Sequence, residues 1–242
     1  MLHPLSRRKA EVLTVLNSVS QEDHLKLKQL GAADNKFWST DDEAHAPLVA
    51  AFRTEVKDYY WGRQARRCCY CSKELDESKA AYDAEHIIHK DEFPQFMFEL
   101  ANLSVACRTC NGVKKNKLVL ALNVTLAEVP RQSSDYTIVH PHLDEWSDHF
   151  RHDEISRIVP ANESMKGAKT IEVCGIHYLN AARLADYFLP ADHKTVQQAL
   201  EGLFRVKSRG WKIKYLEVLN GLVDEHNFQP AREILGALKD EV

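Results

Sequence analysis

Cys68 and Cys71, then Cys107 and Cys110, form two CxxC pairs that bracket Glu85 and His86. A CxxC places two thiolates on one tight turn. Two such turns supply the four soft, tetrahedral donors that a structural zinc prefers. Among and after these pairs stand Glu85, His86, Asn102, Asn111 and Lys114. They are the side-chain types a metal-dependent phosphodiesterase needs: a base for water, oxygen donors for a cation, and a positive charge for phosphate. Paired spacing argues against scattered core thiols, and a zinc module that only binds would leave the polar set unexplained.

Taken in order, Cys68-x-x-Cys71, Asp83-Ala84-Glu85-His86, Asn102-Leu103, Cys107-x-x-Cys110-Asn111 and Lys114 resemble the HNH (ββα-metal) nuclease superfamily with zinc knuckles. The resemblance implies a structural Zn²⁺ on the four cysteines and a hydrolysis that leaves 5′-phosphate and 3′-hydroxyl ends. It implies His86 as general base, which suits an imidazole titrating near neutrality. Asn102 is implied to hold the His86 ring, and Glu85 with Asn111 to bind a catalytic Mg²⁺ or Mn²⁺, the cations that oxygen donors favour. Lys114, one turn after Asn111, is expected to contact the scissile phosphate. Arg66, Arg67, Lys90, Arg108, Lys115 and Lys117 are expected along the flanking nucleic-acid backbone. Two positions depart from the family pattern. Asn111 stands where the final His is usual, and His89 where Pro is often found three residues after the base; His89 reads as a loop or substrate residue.

A narrower likeness extends beyond these residues. Cys68-Cys69-Tyr70-Cys71, Lys90, and Ala106-Cys107-Arg108-Thr109-Cys110-Asn111 are similar to HNH subunits of bacterial anti-phage systems such as Septu and certain retrons. The later Arg157-Ile158-Val159-Pro160 and Lys169-Thr170-Ile171-Glu172 are similar to the region those subunits carry after the nuclease core. That likeness implies a DNA-cutting subunit controlled by an ATPase partner, with helical flanks as docking surfaces. The alternatives are a stand-alone restriction-type nuclease, a zinc-stapled binding module without catalysis, and the same chemistry directed at RNA.

Other candidates read as structural. Cys69 and Cys174 are expected as buried thiols. His140, His142, His149 and His152 are expected without a metal. The stretch 204–215, with Arg205, Lys207, Arg209, Trp211, Lys212 and Lys214, reads first as solvated helix faces and second as a phosphate-tracking surface.

The elements that must position this chemistry follow from periodicity. Helices are expected over 5–16, from Ser20 to a stop at Gly31, and over 47–66, where Leu48, Phe52, Val56 and Tyr60 recur at helical spacing. Strands are expected over 81–89 and 103–106, with a loop over 91–100 and a helix beginning near Arg108. Strand-like pieces follow at 136–139, 155–159 and 170–173, and helices occupy the rest from Asn180 onward. The fold class is α+β: a small ββα-metal core over 63–120, an N-terminal helical segment over 1–62, and a mixed then helical region over 121–242.

The chain has 242 residues, 44% hydrophobic and 28% charged, with a formal net charge of −3. It is long enough to bury a core without disulfides. No apolar run approaches a membrane span and no signal peptide is visible, so a cytoplasmic location is expected, where paired thiols bind metal. The weak negative charge argues against indiscriminate coating of nucleic acid, but not against a local basic face.

Overall fold

In the computed structural model, which describes residues 6–121, 126–226 and 229–239, the chain forms two compact units. The first comprises residues 1–150 and 160–174, the second 151–159 and 175–242. The expected segments 1–62 and 63–120 both fall in the first unit, and 121–242 is divided between the two.

Helix α1 (Gln21–Ala33) opens on Ser20, whose hydroxyl accepts from the Asp23 N–H at 3.0 Å and donates to its carboxylate at 2.7 Å. It does not stop at Gly31. That glycine is kept for packing: a Cβ there would lie 2.7 Å from the Phe98 ring. Helix α2 (Ala46–Arg63) has Pro47 in its first turn and buries Val49, Phe52, Val56 and Tyr60, one stripe at spacings of three and four. It ends because Ala65 and Arg66 turn left-handed, with φ of 56° and 60°.

The helix expected over 5–16 is absent. Residue 5 lies outside the described residues, and residues 6–16 are irregular. Their backbone groups bond elsewhere: Ala10 N–H donates to the Pro141 carbonyl at 3.2 Å, and Leu13 N–H to the Tyr60 hydroxyl at 3.2 Å. Arg7, fully buried, donates to the carbonyls of Cys69 (2.7 Å), Pro141 (3.2 Å), His140 (3.3 Å) and Asp144 (3.3 Å). One buried guanidinium thus ties this segment to the first knuckle, and tertiary partners outweigh local helix propensity.

Strand β1 (Tyr82–His86) pairs antiparallel with β2 (Leu103–Cys107), placing Glu85 opposite Ser104 and His86 opposite Leu103. Between them the expected loop holds two 3₁₀ turns, Pro94–Phe96 and Leu100–Asn102. Helix α3 (Arg108–Lys114) follows β2 directly, capped by Cys107, whose sulfur accepts from the Cys110 N–H at 3.5 Å. Gln64, buried after α2, bonds Arg67 and Val105 carbonyls, the Ser104 hydroxyl and the Val105 N–H. It locks α2 to β2.

Beyond the core come α4 (Trp146–His149), β3 (Phe150–His152), β4 (Ile158–Pro160) and α5 (Met165–Cys174). The piece expected as a strand at 170–173 is therefore the end of a helix. Ser164 caps it through the Gly167 N–H at 3.0 Å, and Thr170 bonds back to the Lys166 carbonyl at 2.7 Å, which accommodates a β-branched residue. The piece at 136–139 is not a strand either: it makes an isolated bridge between Leu120 and Tyr136. The second unit is built mainly by α6 (Ile176–Ala185), α7 (His193–Arg205), α8 (Arg209–His226) and α9 (Gln229–Lys239). Leu184, Val196, Leu200, Leu219 and Leu235 form its apolar core. Among the described residues no helix is long and apolar enough to cross a membrane.

Candidate functional site

The two knuckles come together. The sulfurs of Cys68, Cys71, Cys107 and Cys110 all lie within 4.8 Å of one another, and all four residues are buried. The first knuckle closes through Ser72 at a φ of 58°, with its N–H on the Cys68 carbonyl at 3.1 Å and the Cys68 N–H on the Lys73 carbonyl at 2.9 Å. Arg67 donates to the Ser72 carbonyl at 2.9 Å, so this expected nucleic-acid contact braces the knuckle instead. Burial raises the Cys68 thiol, but hydrogen bonds from Cys107, Cys110, Cys69 and Cys71 prevail and hold it well below the usual range. Four clustered sulfurs with one favouring a thiolate form a donor set that fits zinc. Cys69 and Cys174 are buried outside this cluster.

The polar residues converge on a pocket with a volume of about 560 Å³. Asp83, Glu85 and His86 reach it from β1, Asn111 and Lys115 from α3 and its C-cap, and His89, Lys90 and Asp91 from the turn after β1. Trp38, Arg53 and Lys57 reach it from the N-terminal segment. Asp83 and Glu85, two apart on one strand, share a face. The Asn111 amide donates to the Asp83 carboxylate at 3.0 Å.

His86 ends β1. Its Nε2 lies 3.0 Å from the Met97 carbonyl, and an N–H donated there leaves Nδ1 as the basic nitrogen. The Trp38 indole packs edge-on, its ring centroid 4.4 Å from that of His86. Burial pulls the imidazole down to about 3, against the raising influence of the Met97 carbonyl. His86 is therefore neutral at physiological pH, as a proton acceptor must be.

Asn102 does not hold the His86 ring. Its Oδ1 accepts from the Ile88 N–H at 2.8 Å, and its Nδ2 donates to the carbonyls of Ile88 (2.9 Å) and Phe96 (3.1 Å). It closes the loop that presents the adjacent Met97 carbonyl, so any effect on His86 passes through the backbone.

Lys114 is likewise placed differently from expectation. It is 1% exposed, and its ammonium lies 2.6 Å from Glu85 Oε1 and donates to the His86 carbonyl at 2.8 Å. Tyr70 donates to the same Oε1 at 3.0 Å. Burial raises the Glu85 carboxyl, against the lowering influence of Lys114 and Tyr70. The lysine neutralises a buried carboxylate and is not exposed to a phosphate.

The remaining expected cations divide. Lys90 and Lys115 line the pocket. Arg66 lies outside it, stacked 4.6 Å over Trp61 and 3.2 Å from the Glu77 carboxylate. Lys117 donates to the Val173 carbonyl at 3.0 Å, and Arg108 is exposed at the start of α3, outside the pocket lining. His89 is 6% exposed, lines the pocket, and makes no hydrogen bond at either ring nitrogen; its Nε2 is 3.3 Å from Glu92 Oε2, in ion-pair range only. The strand ends at His86, so strand alternation does not carry His89 to the opposite side.

Asp83 was visible in the sequence by its spacing from Glu85 but had no role there. Trp38, Arg53, Lys57 and the Met97 carbonyl had no sequence signal, and Tyr70 stood in the likeness to the defence subunits without a role. Among the described residues His140, His142, His149 and His152 belong to no metal-binding cluster. In the 204–215 stretch, Lys214 lies 4.5 Å over Trp211 and Arg205 lies 5.9 Å over Tyr178, both within the second unit.

Fold and site together define an α+β protein whose strand–strand–helix core carries a four-cysteine metal-binding cluster and a pocket lined by carboxylates, imidazoles and cations. No protein-family model matches the chain. Over 114 residues it is 25% identical to Septu protein PtuB of Bacillus thuringiensis, a stretch that is 47% of this chain and 38% of that relative. The similarity is distant, and the chain matches well under two thirds of the relative's length.

Proposed function

We propose that this chain is a metal-dependent HNH-type endonuclease that hydrolyses DNA in anti-phage defence under the control of an ATPase partner. The observation that carries the chemistry is His86: its Nε2 is engaged by the Met97 carbonyl, which leaves the unprotonated Nδ1 as the proton-accepting nitrogen, and the ring lines the same pocket as Asp83 and Glu85. In this reading water attacks phosphorus and gives its proton to Nδ1, while the 3′ oxygen leaves and is protonated by solvent. Mg²⁺ or Mn²⁺, held by Glu85 and Asn111 and with Asp83 of the same pocket proposed as a further donor, would neutralise charge on the phosphate and the leaving oxygen. Hard oxygen donors in one pocket fit such a cation. Lys114 keeps Glu85 in place, and Asn102 keeps the Met97 loop in place. Zinc on the four cysteines staples β2 and α3 to the first knuckle and takes no part in the reaction.

The defence role and the ATPase partner are supported by the similarity to a Septu protein and by the sequence likeness already described. A second reading, a zinc-stapled module that binds without cutting, is favoured by one observation: Oε1 of Glu85 is already engaged by Lys114 and Tyr70.

Plasmid nicking separates the two. Wild type and His86→Ala are compared with Mg²⁺, Mn²⁺ or EDTA, alone and with the ATPase, with an RNA substrate in parallel. Metal-dependent DNA cleavage lost in His86→Ala is expected. With His86 held near 3, its neutral fraction stays full down to about pH 5, so its titration adds no fall in rate between pH 7 and 5. Cleavage that survives His86→Ala overturns the mechanism; absence of cleavage in every arm leaves the binding-module reading.

A further inference from the structure

Four cations line the pocket, Arg53, Lys57, Lys90 and Lys115, and they are not equivalent. The Lys57 ammonium donates to the carbonyls of Lys79 (2.5 Å) and Tyr82 (2.8 Å) and sits 4.7 Å over the Tyr82 ring. The Lys90 ammonium is 3.1 Å from the Asp91 carboxylate and 3.4 Å from the Asn35 carbonyl. Among the described residues, Arg53 and Lys115 have neither a carboxylate nor a hydrogen-bond acceptor, and both are exposed.

Arg53 differs from Lys115 in what supports it. Its guanidinium carbon lies 5.6 Å from the centroid of the Trp38 ring, within cation–π range. The same indole contacts the His86 ring with centroids 4.4 Å apart. Trp38 is itself fixed, 7% exposed and packed on Phe52 and Phe98. An arginine resting on a rigid aromatic platform loses little freedom on binding, and its planar fork matches a phosphate's oxygens.

We propose that Arg53 is a substrate-binding residue that grips a backbone phosphate of the nucleic acid next to the scissile bond. Helix α2 and the Trp38 turn then form one wall of the active site, although neither belongs to the strand–strand–helix core. This inference rests on the nuclease reading and adds its substrate contact.

The test is binding and cleavage of a fluorescein-labelled DNA duplex of about 20 base pairs. Binding is followed by anisotropy in a His86→Ala background without Mg²⁺, across a salt series; cleavage is followed with Mn²⁺ in the unaltered background. Arg53→Gln is expected to weaken binding about 5- to 10-fold near 100 mM salt and to reduce the salt slope by about 0.9, the value of one phosphate contact on B-DNA. Arg53→Lys is expected to restore the slope, because the charge remains, but not the full cleavage rate, because the fork is lost. Arg131→Gln, which removes a charge from a side chain 87% exposed, serves as the control and is expected to change nothing. Zinc content and circular dichroism report that each variant folds. Unchanged affinity and slope in Arg53→Gln, on a duplex that wild type binds and cuts, overturns the assignment of Arg53 alone. A wild type that neither binds nor cuts, alone or with the ATPase partner added, overturns the nuclease reading and this inference with it.

Discussion

Replacing Lys114 by Met removes the partner of a carboxylate that is almost wholly buried. Glu85 and Lys114 are each 1% exposed and 2.6 Å apart, and the ammonium also satisfies the His86 carbonyl at 2.8 Å. Breaking a buried pair from one side typically costs about 3–5 kcal/mol, because an unpaired charge stays inside. Methionine retains most of the aliphatic stem, so little of that cost is cavity formation. Against a typical stability of about 5–15 kcal/mol, the loss is large. The double variant Glu85→Gln/Lys114→Met removes both charges and is expected to return to within about 1.5 kcal/mol of wild type, since paired apolar or neutral replacements are often close to neutral. Burial already raises the Glu85 carboxyl, and loss of Lys114 removes an influence that lowers it. A carboxyl whose folded pKa is raised contributes most below its unfolded pKa, and that contribution is lost as pH rises through the folded pKa. Lys114→Met should therefore lose more stability at pH 8 than at pH 5. Urea unfolding at both pH values, with zinc present and zinc release as the reporter of the first unit, measures this. A Lys114→Met protein within about 1 kcal/mol of wild type at pH 8, or a double variant no better than the single one, would refute the argument.

Two further outcomes follow from the frame around the site. Cys107→Ser removes one of four clustered sulfurs while leaving a hydroxyl able to cap α3, and is expected to release zinc and unfold the strand–strand–helix core; metal analysis with circular dichroism checks it. Asn102→Ala strands the Ile88 N–H and carbonyl in the interior and takes one of two donors from the Phe96 carbonyl, and is expected to cost about 3 kcal/mol in denaturant unfolding. If the chain cleaves DNA as proposed, the rate should fall in this variant even where the protein remains folded, because the Met97 carbonyl is no longer held against His86.

Much of this site was legible in the sequence. The capping pair Ser20 and Asp23, the α2 stripe, the β1–β2–α3 order and the four cysteines all express local rules: short-range hydrogen bonds, periodic burial and chelate spacing. Where reading failed, the competing partner was distant. Residues 6–16 found hydrogen-bond partners in the Pro141 carbonyl and the Tyr60 hydroxyl, and Thr170 followed its cap at Ser164 into a helix despite β-branching.

Sequence alone therefore determined which side chains can do chemistry and which elements carry them, because both depend on residue type and near spacing. It could not determine which polar groups remain available, because availability depends on what folds over them. Tertiary structure spent Lys114 on Glu85, Arg67 on Ser72 and Asn102 on the Met97 loop, and left Arg53 without a carboxylate partner at the mouth of the pocket. Desolvation and pairing are properties of the packed chain, and they sort a charged residue into frame or reagent.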